Sequence, residues 1–117
     1  MVVLGASNKP DRYSNMAVCM LKEAGFHVIP VHPRLKEVEA LTVINDLALI
    51  QDEVHTLTLY VGASRSRSLI DEIVALHPGR VIFNPGSECP ELEKALRVSG
   101  TEIVRGCTLV MLRTGRF

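Results

Sequence analysis

Four polar stretches carry the residue types that bind anions: Gly5 to Ser14, His32 to Arg34, Gly62 to Arg67 and Asn84 to Glu88. The first sets Gly5, where backbone can approach a ligand closely, beside Ser7 and Asn8 as hydrogen-bonding side chains and Lys9 and Arg12 as cations. It leads into a helical pattern for which Ser14 is placed as N-cap. Free N–H groups and the positive end of the macrodipole make such a helix start favourable for phosphate. The same residues also fit a plain polar turn, because one glycine followed by Ala6 and Ser7 is a weak signal.

A dinucleotide fingerprint needs three glycines, and the aligned positions here are Gly5, Ser7 and Pro10. Where an acidic residue would hold the ribose hydroxyls of NAD, this chain has His32, Pro33 and Arg34. Both departures disfavour NAD. Arg34 suits a ribose that bears a phosphate, or else it is a solvated loop arginine. Arg65 and Arg67 open a helix, where the dipole opposes them by a few tenths of a kcal/mol. A bound anion would offset that, and two arginines pointing into water are the alternative.

Nothing here has the spacing of a catalytic or metal-ligating set. His27, His32, His55 and His77 lack the H-x-x-x-H and H-E-x-x-H patterns, and Cys19, Cys89 and Cys107 contain no C-x-x-C pair. Cys19 and Cys107 read as packed thiols, and Glu88, Glu91 and Glu93 as a solvated first helical turn that favours the dipole. No catalytic residue and no metal ligand is assigned.

The elements that must position these loops alternate. Val2 to Leu4 is an apolar run closed by Gly5, and Ala17, Met20, Leu21 and Ala24 recur at helical spacing up to Gly25. Val28 to Val31 predicts a second strand, with Pro30 as a weak ladder position. Between residues 35 and 55 the pattern is unclear: a short helix begun by Asn45 or Asp46, and extended chain at Thr42-Val43, both fit. Thr56 to Val61 predicts a third strand, and Leu69, Ile70, Ile73, Val74 and Leu76 a helix ended by His77-Pro78-Gly79. Val81 to Phe83, a helix with Pro90 in its first turn and Gly100 as its stop, and a strand at Ile103-Val104 follow. The last segment, CTLVMLRTGRF, fits a strand or a helical turn. Strand and helix in alternation predict an α/β, three-layer, doubly wound parallel sheet of about five strands, in the order 3-2-1-4-5 by analogy with folds of that class.

The 117 residues, 47% of them hydrophobic, suit one domain over 1–117 with a buried core. Thirteen Lys and Arg balance 13 Asp and Glu, so no overall field draws the chain to nucleic acid or an anionic membrane. No apolar run approaches the ~18 residues of a membrane span, and no signal-peptide layout opens the chain. An odd number of dispersed cysteines suits a reducing cytosol. A soluble cytoplasmic protein is expected.

These motifs carry a resemblance. GASNKPDRYSN with its following helix, VIPVHPR, the LYV strand end, NPGSE and GTEIVRGCTLVML resemble, in this order and across nearly the whole chain, the small single-domain CoA-binding proteins. Their Rossmann-like domain is similar to the CoA-binding domain of the succinyl-CoA synthetase alpha subunit. The resemblance implies CoA or acyl-CoA as ligand. It puts Ser7, Asn8, Lys9 and Pro10 on the phosphate-contacting loop, Arg34 near a CoA-contacting lysine, and Val61, Gly62 and Ala63 on a contacting segment that is usually proline-rich. Here Gly-Ala-Ser replaces those prolines. In that reading the diphosphate rests on the Ser7 to Lys9 backbone and the helix start near Ser14, and Arg34 or Arg12 pairs with the 3′-phosphate. The adenine lies against Val61, and the pantetheine arm runs toward Asn84-Pro85-Gly86.

The synthetase subunit's second domain, with its phosphorylated histidine, has no counterpart here, so ligase chemistry is not implied. The leading expectation is a non-catalytic CoA-binding module with a sensor or regulatory role. An oxidoreductase or enzyme subunit using an NADP-like nucleotide is the alternative, followed by a protein-interaction domain that has lost its ligand. A homodimer is compatible with so small a sheet.

Overall fold

Val2, Val3 and Leu4 are all buried, and the two-residue alternation of a strand sends Val2 and Leu4 into one apolar core and Val3 into another. A strand covered on both faces belongs inside a three-layer α/β structure. The computed structural model describes residues 1–117. Its elements are β1 (Val2–Leu4), α1 (Tyr13–Glu23), β2 (Ile29–Val31), β3 (Glu37–Val38), β4 (Leu41–Thr42), β5 (Thr56–Leu59), α2 (Ala63–Ser68), α3 (Ile70–Leu76), β6 (Arg80–Phe83), α4 (Pro90–Val98), β7 (Glu102–Arg105) and α5 (Thr108–Arg113). A 3-10 turn covers Leu47–Leu49.

Ile73 of α3 and Leu92 and Leu96 of α4 fill the core on one side of the sheet. Val18 and Leu21 of α1 fill the other, where Leu112 of α5 joins them. No helix is long and apolar enough to cross a membrane.

The parallel sheet runs β2-β1-β5-β6-β7. Counting only its own strands, the order is 2-1-3-4-5, so the class is the expected one and the order 3-2-1-4-5 is corrected. The reason lies in Pro30. Ile29 donates its N–H to Met1 O, and Val31 O accepts from Gly5 N, so residues 29 and 31 face β1. Pro30 therefore faces away, and its ring nitrogen has no hydrogen to give a further strand. No strand takes that edge: Ile44 donates to Pro30 O at 3.0 Å and accepts from His32 N at 3.2 Å, and the Asn45 side chain donates to His32 O at 2.8 Å. With β2 at the edge, the third strand pairs instead with the free side of β1.

The unclear segment between residues 35 and 55 is an antiparallel hairpin of β3 and β4 followed by the 3-10 turn. Asp46, not Asn45, caps that turn by accepting from Ala48 N at 2.9 Å. Two more boundaries differ from expectation, and one open alternative is decided. Helix α1 begins two residues earlier, with Arg12 at the N-cap and Ser14 already inside the first turn. The helix after β5 is two pieces, α2 and α3, separated at Leu69. The last segment takes the helical alternative as α5.

Candidate functional site

Gly5 ends β1 at φ +89, a conformation that side chains disfavour, and the chain there turns away from the sheet. Its N–H and that of Ala6 both point to Val31 O at 3.1 Å, which holds the start of the loop against β2. A β-carbon on Gly5 would lie 2.8 Å from Val61 Cγ1 and 2.9 Å from Tyr60 O. The loop after β1 thus sits directly on the chain leaving β5, and only a glycine permits that approach.

The rest of the loop is fixed by short-range bonds. Lys9 N donates to Ser7 Oγ at 3.1 Å, and Arg12 N donates to Lys9 O at 3.1 Å. Asn15, buried in the first turn of α1, donates from Nδ2 to Ser7 O at 2.9 Å and to Glu39 Oε1 in the β3–β4 turn at 3.0 Å. The backbone N–H groups of Tyr13, Ser14 and Asn15 have no partner within the chain. The first turn of α1 contains no acidic residue, and the capping Arg12 offers no side-chain bond. Unpaired donors at the positive end of an 11-residue helix are a ready place for an anion.

These pieces enclose an open groove of about 580 Å³ at the carboxyl end of β1. Gly5, Ala6, Ser7, Asn8, Lys9, Arg12, Ser14 and Val61 line it. Pro10, Arg34, Gly62 and Ala63 do not. Gly62 caps α2 and Ala63 begins it, just beyond the Val61 wall. Lys9 and Arg12 make no ion pair.

Five further lining residues complete the groove: Tyr13, His32, Leu35, Tyr60 and Arg65. Tyr13 is 71% exposed, unusual for an aromatic. An aromatic amid the polar run Asp-Arg-Tyr-Ser-Asn is the signal that marks it. Tyr60 is the opposite case, with its hydroxyl shielded from solvent and unbonded, and burial pushes its pKa up to about 12. It presents a neutral ring to the groove.

His32 accepts at Nδ1 from Arg34 N at 3.0 Å and from Leu35 N at 3.1 Å, so the neutral ring carries its proton on Nε2. Burial, then the positive charges of Arg65 and Arg34, lower its pKa from the ordinary 6.5. The histidine serves the groove as a neutral donor.

Beyond the groove, the Asn84-Pro85-Gly86 turn has no free side-chain donor to offer. Asn84 Nδ2 donates to Thr58 Oγ1 at 2.7 Å and to Leu59 O at 2.8 Å, while its Oδ1 accepts from Thr108 N at 2.8 Å. Thr58 and Thr108 share a hydrogen bond of 2.7 Å, so the ends of β5 and β6 and the start of α5 form one buried polar knot.

The acidic residues of α4 correct another expectation. Glu93 is buried, and Arg105 grips it with bonds of 2.6 and 2.8 Å, whereas Glu91 pairs with Arg67 at 3.5 Å. Cys19 is half-buried instead of fully packed, and burial, with the Glu39 carboxylate, keeps its thiol pKa above the ordinary value. No three His, Cys, Asp or Glu side chains converge as metal ligands would.

Residues 1–113 match the sequence profile of a CoA binding domain. The crystal structure of an uncharacterised protein, 44% identical, superposes with a TM-score of 0.93 over 99% of this chain and 95% of that one. A Thermus thermophilus protein, 30% identical, does so at 0.90 over 99% and 88%. The Bacillus subtilis protein YneT is 24% identical over 74 residues, which are 63% of this chain and 55% of YneT. The match thus spans about half the length of that relative.

Proposed function

The chain belongs to the CoA-binding domain family, and from that premise we propose that it is a non-catalytic module that binds CoA or an acyl-CoA in the groove at the end of β1. One observation carries the reading. Lys9 and Arg12, neither of them in an ion pair, flank a helix start with three unpartnered N–H groups and no acid in its first turn. A diphosphate is the group of CoA that this end of the groove suits.

The remaining contacts follow from the walls. The exposed ring of Tyr13 provides a platform for the adenine, with Val61 beside it. Gly62 and Ala63 continue that wall, and the pantetheine arm extends toward the Asn84-Pro85-Gly86 turn, where it meets backbone, because the Asn84 side chain is fully engaged. A sensor or regulatory role in the cytoplasm is part of the same proposal. The NADP-like reading leaned on Arg34, which lies outside the groove.

Calorimetry with CoA, acetyl-CoA, NADP and ATP tests the reading, alongside thermal unfolding of the same mixtures. A ligand at 100 times its dissociation constant stabilises the native state by about 2.7 kcal/mol. CoA or acetyl-CoA is expected to bind and to raise the melting temperature. Binding of NADP without CoA would overturn the proposal, and no binding by any of the four would favour an interaction domain that has lost its ligand.

A further inference from the structure

Three arginines follow β2 and β5, Arg34 in a loop and Arg65 and Arg67 in α2, and the structure separates their roles. Arg34 is exposed and outside the groove, and its backbone N–H is used to hold His32. Arg67 is paired with Glu91 at 3.5 Å. Arg65 alone among the three lines the groove, and it makes no ion pair. Arg65 lies in the last turn of the six-residue α2, where the helix dipole favours its charge, so the expected opposition between Arg65 and the dipole is corrected and its claim on a ligand rests on its unpaired place in the groove.

Arg65 also stands on a different element from the other groove cations. Lys9 and Arg12 belong to the loop after β1 that leads into the free N–H groups of α1, whereas Arg65 belongs to α2, the helix that follows β5, and lines the same groove as Tyr60 and Val61. His32, the other nitrogen side chain nearby, is held neutral by its Nδ1 bonds and adds no charge. Two cation sets on separate elements suit a ligand with two separate anionic groups. CoA has them, as its diphosphate and its 3′-phosphate. Dephospho-CoA has only the first.

We infer that Arg65 pairs with the 3′-phosphate of CoA and makes the groove selective for CoA over dephospho-CoA. The inference rests on the CoA reading above. It moves this contact from Arg34 and Arg12, where the sequence put it, to a residue the sequence left between a ligand and solvent.

Calorimetric titration of the full chain with CoA and with dephospho-CoA tests it, using the unaltered protein, Arg65→Ala, Arg65→Gln and Arg34→Ala. The unaltered protein should prefer CoA. Both Arg65 variants should lose roughly ten- to hundredfold in CoA affinity, the range for a charge-assisted hydrogen bond, and keep their dephospho-CoA affinity. Arg34→Ala should retain the preference. Equal weakening of both ligands at Arg65, or loss of the preference at Arg34, would overturn the inference and leave the CoA reading standing. If the unaltered protein binds both ligands alike, only the Arg65 assignment fails. If it binds neither, the CoA reading fails first and takes this one with it.

Discussion

The side-chain amide of Asn15 donates to the carbonyl of Ser7 at 2.9 Å, across eight residues of chain. The bond fastens the loop after β1 to the first turn of the helix that follows it. The same amide reaches Glu39 Oε1 at 3.0 Å, and Lys22 Nζ donates to Glu39 O at 2.8 Å, so the β3–β4 turn is tied to α1 from two sides. Glu39 and Ala40 in that turn both have positive φ, of 49° and 63°, a strained geometry for residues other than glycine. Asn15 thus organises the anion loop and compensates a hairpin that its own residues do not favour.

Asn15→Ala removes both bonds and leaves Ser7 O and Glu39 without their partner. Urea unfolding is expected to show a loss of about 1–3 kcal/mol, the net worth of two part-buried hydrogen bonds at about 0.5–1.5 kcal/mol each. CoA affinity should fall as well, although Asn15 is not a lining residue of the groove. A variant with full stability and unchanged affinity would mean that the loop holds its shape without this bond.

The Glu93–Arg105 pair gives the protein an acid-sensitive element. The hydrogen bonds from Arg105 hold the Glu93 carboxyl below the ordinary 4.5, so the folded state takes up this proton later than the unfolded chain does. The stabilisation is therefore fully present above that ordinary value and is lost as pH falls through the lower, folded-state value. Glu93→Gln has nothing to titrate there. Melting temperatures followed from pH 7 into the acid range should show the variant less stable at neutrality and the two curves converging as pH falls below the ordinary 4.5 and through the lower, folded-state value. Parallel curves would mean that the pair contributes nothing through its charge.

Much of this architecture was legible because each signal had one physical meaning. Gly25 and Gly100 end α1 and α4 at positive φ, as stop glycines do, and the apolar runs of β1 and β6 are buried as parallel strands require. The strand order was also written in the sequence, at Pro30, whose missing donor is tolerated at a sheet edge and excludes β2 from the interior. Borrowing the order from other folds overrode that local signal. The groove was legible along the chain and illegible across it: Lys9 and Arg12 fall in one contiguous loop, but Tyr60, Arg65, His32 and Leu35 join them only through the pairing of three strands. Glu93 was misread for a similar reason. Its partner, Arg105, is 12 residues away on β7, and a helical first turn with three nearby acids looks solvated until the sheet brings the arginine over it.

The glycines at Gly5 and Gly62, both assigned to the ligand site, have different reasons to be there, and substitution should separate them. At Gly5 an added methyl meets both a positive φ of 89° and atoms of Val61 and Tyr60 within 3 Å. Gly5→Ala is therefore expected to cost about 1–3 kcal/mol from backbone strain, with the clash in addition. It should also push the β1 loop off Val61 and weaken CoA binding. Gly62 has φ −72°, and a β-carbon there would have no atom within 4 Å, so no conformational or steric demand requires a glycine. Gly62→Ala should fold as the unaltered protein does, and urea unfolding of both variants checks this contrast. If Gly62→Ala nevertheless loses CoA affinity at full stability, the ligand itself must pass close to its α-carbon. Loss of neither stability nor affinity at Gly5 would show that the loop and the β5 exit can part without consequence, and the groove would no longer depend on their contact.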